Sequence, residues 1–132
     1  MVKCYNILMA NFFTYPQLPL SITTTIDGDD IKKVNKKVLS DQKVNFLTLL
    51  FNKNAAKYIK EKQVYICTFE ADKIFATANG NIVINGPYEE LSDYSEDDRF
   101  IYLYCRTNDY ICLERTLCPP DFVEYIRQLF VA

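Results

Sequence analysis

Arg99-Phe-Ile-Tyr-Leu-Tyr-Cys105, Arg106-Thr-Asn-Asp109 and Tyr110-Ile-Cys-Leu-Glu-Arg115 are three consecutive segments whose reading decides the fold. The first and third are β-branched and aromatic, the second is made of turn residues, and together they predict an antiparallel hairpin. A helix is expected directly after it. Pro119-Pro120-Asp121 places proline where the first helical N–H has no partner and a carboxylate near the positive end of the helix dipole. Phe122, Ile126, Leu129 and Phe130 then mark one apolar stripe that would close over the sheet.

Working back from the hairpin, Val64 to Glu70 and Lys73 to Ala78 are predicted strands, Asn79-Gly80-Asn81 a turn, and Ile82-Val83-Ile84 a third strand before the break at Gly86-Pro87. Ahead of these, Asp29 to Lys62 has helical spacing: Ile31, Val34 and Val38, then Val44, Leu47, Leu50, Phe51, Ala55 and Ile59, with a break near Ser40-Asp41. Asp29 or Asp30 is the expected cap. The first residues are expected to be extended, over Val2 to Met9 and Leu20 to Ile26, with prolines 16 and 19 between them. One domain over residues 1–132 follows: strands and loop over 1–28, a helical insertion over 29–62, and sheet plus terminal helix over 63–132.

Composition narrows the chemistry. A chain of 132 residues that is 49% hydrophobic, with 10 Tyr and 9 Phe, can bury a core without metal or disulfide support. It has no histidine. That removes the serine and cysteine triads, the imidazole base and the histidine-ligated zinc site, leaving carboxylates, lysine or a thiolate for any catalysis. Cys4, Cys67, Cys105, Cys112 and Cys118 show no metal-ligand spacing, and their apolar neighbours suggest buried, reduced thiols. Cys118, next to a helix start, is the candidate reactive thiol. Asp27-Gly28-Asp29-Asp30 lacks the ligand alternation of a calcium loop and reads as a turn. No metal or cofactor is expected.

The halves differ in charge, +5 over residues 1–62 and −7 over residues 63–132. Lys32, Lys33, Lys36, Lys37, Lys43, Lys53, Lys57, Lys60 and Lys62 make the helical segment basic, and a solvated helix surface is favoured over nucleic-acid or anionic-membrane contact. No run is apolar enough to span a bilayer and no cleavable leader stands out, so a cytoplasmic setting is expected.

The segments Phe69-Glu-Ala-Asp-Lys-Ile-Phe75, Gly86-Pro-Tyr-Glu-Glu-Leu91, Phe100-Ile-Tyr-Leu-Tyr104 and Tyr110-Ile-Cys-Leu-Glu-Arg115, followed by Pro120-Asp121-Phe122, give Val64 to Phe130 an order of strands, aromatic hairpin and terminal helix. In that order it resembles the carboxy-terminal domain of the YcxB-like family. The resemblance implies a pleckstrin-homology-like barrel closed by one helix; with the helical spacing of Asp29 to Lys62, the expected fold is α+β, a strongly bent antiparallel sheet forming a partly open barrel, with a C-terminal capping helix and one or two inserted N-terminal helices. Family members carry two membrane-spanning helices ahead of this domain, whereas Asp29 to Lys62 is polar, so no membrane role carries over. Nor does a phosphoinositide site, for the basic residues after Lys62 are scattered.

The candidate binding surface is Tyr88, Glu89, Glu90, Asp93, Tyr94, Glu96, Asp97 and Asp98. Its six carboxylates would steer a basic partner and its rings would supply rigid contact area. A non-catalytic protein-binding module is the leading expectation. An immunity or inhibitor protein that neutralises a basic toxin or nuclease comes next, and a carboxylate-based enzyme third.

Overall fold

A computed structural model describes residues 2–3, 18–42 and 59–130 of the chain. The fold is α+β, with two helices and two antiparallel four-stranded sheets among the described residues. The first sheet is a meander of β2 (Leu20–Ile26), β3 (Gln63–Phe69), β4 (Ile74–Ala78) and β5 (Asn81–Gly86). The second holds, in spatial order, β1 (Val2–Lys3), β6 (Leu91–Glu96), β7 (Phe100–Cys105) and β8 (Tyr110–Glu114). Helix α1 (Asp29–Asp41) joins the first two meander strands by way of residues outside the described set, and α2 (Pro120–Gln128) follows β8.

The predicted single bent sheet is thus corrected to two. No ladder joins β5 to β6, and hydrogen bonding among the described residues closes no barrel. A side chain bridges the sheets at one corner, where the backbone N–H of Glu114 donates to the Thr24 hydroxyl at 2.9 Å. Thr24 is a buried polar residue, and this bond satisfies it.

Turn chemistry sets the first meander. Asn79 and Gly80 both have positive φ, 49° and 84°, as a two-residue hairpin turn with the strands' own twist requires. Asn79 also accepts from the Val64 N–H at 2.7 Å and donates to the Lys62 carbonyl at 3.0 Å, which anchors the turn to the start of β3. In β2, residues alternate between exposed and buried, so one face of the strand meets the core and the other meets water.

β7 differs. All six of its residues are buried, so both of its faces are covered. On one face α1 lies along it: the Asp30 carboxylate pairs with Arg99 at 2.5 Å and Asp41 accepts from the Tyr104 hydroxyl at 2.7 Å. The spacing fits, since eleven helical residues and five strand residues each span about 16 Å. Tyr104, Tyr102 and Phe100 alternate onto that face. On the other face Ile101 and Leu103 stand beside Glu96 and Tyr94 in register, and these meet α2 through Arg127 and Phe130.

Helix α2 spans the two sheets. Phe122 packs edge-on against Phe69 of β3 at 4.8 Å, while Phe130, just past the helix end, packs against Tyr94 of β6 at 5.5 Å. The predicted stripe of Phe122, Ile126, Leu129 and Phe130 is buried throughout, joined by Val123 and Tyr125. The expected Asp cap on α1 is corrected: Gly28 is the N-cap, with no side-chain cap bond, and Asp29 and Asp30 lie in the first turn. The helix ends at Asp41, as the break near Ser40-Asp41 predicts. Residues Val44 to Ala55, Cys4 and most of the N-terminal stretch lie outside the described residues.

Candidate functional site

Residues 88–98 form a short 3-10 turn (Tyr88–Glu90) and the strand β6, not one open acidic and aromatic surface. A bulge near Leu91 and Asp93 interrupts the pairing of β6 with β7. Tyr88 is buried and its hydroxyl donates to the Glu70 carbonyl at 2.6 Å, fastening the 3-10 turn to the end of β3. Tyr94, the expected anchor, is only 5% exposed; its ring meets Phe130 and its hydroxyl donates to Glu96. Both rings belong to the core.

The carboxylates divide in the same way. Glu96 accepts from Arg127 at 2.7 and 3.1 Å and from Arg115 at 3.0 Å, so two guanidinium groups and a phenol hold it against α2. Asp97 accepts from the N–H groups of Phe100 at 2.7 Å and Arg99 at 2.9 Å and from the Tyr102 hydroxyl at 2.8 Å, which closes the turn between β6 and β7. Partial burial pushes its carboxyl up, but these hydrogen bonds outweigh burial and hold it below the ordinary carboxylate range. Glu89, Glu90 and Asp98 are exposed, and Asp93 is half-buried on β6. The structure therefore scatters the eight residues among core, turn and surface.

Chemistry elsewhere is muted. Cys67, Cys105, Cys112 and Cys118 are free and buried. Burial pushes the Cys118 thiol up to about 11 and the Cys105 thiol up to about 12, the opposite direction from an activated thiolate. Cys118 is buried just ahead of the helix, and its thiol donates to the Glu114 carbonyl at 3.6 Å. On α1, Lys32, Lys33 and Lys36 are exposed, while Lys37 pairs with Asp41 of the same helix at 3.3 Å. Two acidic residues of the helix bond to the second sheet's β7 segment, Asp30 to Arg99 and Asp41 to Tyr104.

A cleft of about 360 Å³ lies beside β5, lined by Tyr65, Ala78, Ile82, Val83 and Tyr110 with Lys60, Glu61 and Asp109. A smaller one, about 230 Å³, is lined by Val83, Ile84, Cys105 and Arg106 among others. Their charged groups are of both signs and do not converge on one point of chemistry.

The most distinctive surface is the outer face of the first sheet. Alternation sends Ser21, Thr23 and Thr25 outward from β2, Val64, Ile66 and Thr68 from β3, Phe75 and Thr77 from β4, and Ile82 and Asn85 from β5. None is charged. The register assembles them into rows, Thr23–Ile66–Thr77–Ile82 and Ser21–Thr68–Phe75–Asn85. Ser21 and Thr68 join hydroxyls at 2.7 Å, and Ile66 and Ile82 remain 45% and 65% exposed. A bulge in β5, opposite Ala76 and Thr77, takes up Val83 and lets Ile82 and Asn85 share the outer face. The period-two signal that could have shown this face is present in β2 and β3, but assembling it requires knowing which strands pair.

Comparison with known protein families, with curated proteins and with solved structures finds no match for this chain.

Proposed function

We propose that the chain is a non-catalytic protein-binding module whose contact surface is the outer face of the first sheet. The observation that carries this is a face four strands wide with no charged side chain, on which Ile66 and Ile82 stand exposed. Outward faces of antiparallel sheets are normally polar, and this one joins uncharged hydroxyls and an amide to exposed aliphatic residues, in keeping with an interface centre, where charge is depleted. Exposed lysines and carboxylates lie off this face, on α1, around Glu89 and Glu90, and at the sheet's ends at Lys60 to Lys62 and Asp72-Lys73. The covering of both faces of the second sheet, by α1 and by α2, leaves the first sheet as the place where a flat partner fits.

The order of a four-stranded meander, a second meander and a closing helix also supports a pleckstrin-homology-like reading of the scaffold, in keeping with the YcxB-like resemblance. Such a scaffold supplies no activity by itself, and function rests on the face it presents.

Affinity capture comparing Ile66→Glu with Glu89→Lys tests this. A partner lost with Ile66→Glu and kept with Glu89→Lys supports the sheet face. The reverse result would move the contact to the acidic segment and towards a basic partner.

A further inference from the structure

Building on the protein-binding reading, we propose that the partner of this face is a second copy of the same chain, packed sheet on sheet about a twofold axis. Across the four strands one row reads Thr23, Ile66, Thr77, Ile82 and the next reads Ser21, Thr68, Phe75, Asn85. A twofold axis running parallel to the strands, between β3 and β4, turns each row onto itself in reverse. Thr23 then stands over Ile82 of the other copy and Ile66 over Thr77, while Thr68 stands over Phe75 and Ser21 over Asn85.

Three of these four pairings set a large apolar side chain against a small one, which is how facing layers interdigitate without voids. The fourth sets a hydroxyl against an amide, two groups able to hydrogen-bond each other. The axis keeps strand directions aligned, the ordinary geometry of two sheets packed face to face. Because the face is uncharged, self-association leaves no carboxylate or ammonium buried without a counterion. Charge is confined to the sheet's ends, where Glu70 and Lys73 pair with each other at 3.5 Å beside the exposed Asp72 and where Lys60, Glu61 and Lys62 precede β3.

Size sets the strength. Four strands about 4.8 Å apart and about six residues long give a footprint of roughly 19 by 20 Å. With side-chain relief, two such faces bury on the order of 1,000 Å², the lower bound of specific interfaces, so the dimer is weak and exchanges rapidly. A twofold contact is self-limiting, so association stops at two copies.

Sedimentation velocity on the full chain, from about 10 µM to about 1 mM, reads the result directly, a range that brackets the dissociation constant of so small an interface. The weight-average sedimentation coefficient of the wild type should rise with concentration from the monomer towards the dimer value. Thr23→Lys and Ile82→Glu should each remain monomeric, with melting curves like the wild type because both positions are exposed. An equimolar mixture of the two should recover dimer, since the axis sets position 23 of one copy over position 82 of the other. A dimer that survives both single substitutions, or a mixture that stays monomeric, overturns the arrangement. A wild type that stays monomeric while Ile66→Glu abolishes capture of a different protein overturns the second copy and leaves the protein-binding reading standing.

Discussion

The two sheets solve the same problem in opposite ways. In β2 every second residue is buried and the others face water. In β7 all six are buried, with α1 along one face and α2 meeting the other. A strand covered on both sides must be apolar or internally satisfied everywhere, and here its Tyr102 and Tyr104 hydroxyls find Asp97 and Asp41. A strand covered on one side is free to vary its outward residues, so the absence of charge across four of them in the first sheet is a choice the fold does not demand. The second sheet has both faces packed, and the first leaves one face to solvent.

That contrast is broken most severely at its packed end. Leu103→Ala or Ile126→Ala should cost about 2–5 kcal/mol, as truncations of fully buried aliphatic side chains do, whereas Ile66→Ala on the open face should cost under about 1 kcal/mol. Denaturant melts decide it, and equal losses would mean that the open face is packed after all. A smaller effect is expected at the turn between β6 and β7. Asp97→Asn should cost about 1 kcal/mol near neutral pH, discounted for the solvent exposure of that carboxylate. Its carboxyl is held below the ordinary range when folded. Its contribution is therefore complete above the unfolded value, near 4, and is lost as pH falls through the folded value. Wild type and Asp97→Asn should consequently converge in melting temperature as the solution is acidified. A gap that widens on acidification would assign the turn's stability to another group.

The smallest effect concerns rates rather than stability. Burial raises the thiols of Cys67, Cys105, Cys112 and Cys118. Alkylation mapped by mass spectrometry at pH 8 should find these four labelled much more slowly in the native protein than after denaturation. Rapid native labelling at Cys118 would restore it as a reactive thiol.

Much of this fold was legible in the sequence. The hairpin of β7 and β8, the helix α2 with its stripe from Phe122 to Phe130, and the meander turn at Asn79-Gly80 each follow from local chemistry, because adjacent residues make the decisive contacts. β6 was harder. Its carboxylates suggest a solvated loop, yet Glu96 lies on the strand because Arg115 and Arg127, distant in the chain, neutralise it. Tyr94, read as contact surface, is core for a similar reason, since its ring packs against Phe130, distant in the chain. Division into two sheets was hidden for a related reason: alternation shows that a strand has two faces, but not which strands share them. The outer face exists only once Ile66, Thr77 and Ile82 are brought into register from three strands.

Isoleucine methyl spectra recorded against protein concentration test most directly whether the open face of the first sheet makes the contact. Ile66 and Ile82 should shift continuously as concentration rises, while Ile101, Ile111 and Ile126, fully buried in the core, should stay where they are. Signals from Ile66 and Ile82 that do not move up to about 1 mM, where even a weak dimer would be well populated, would contradict self-association through this face.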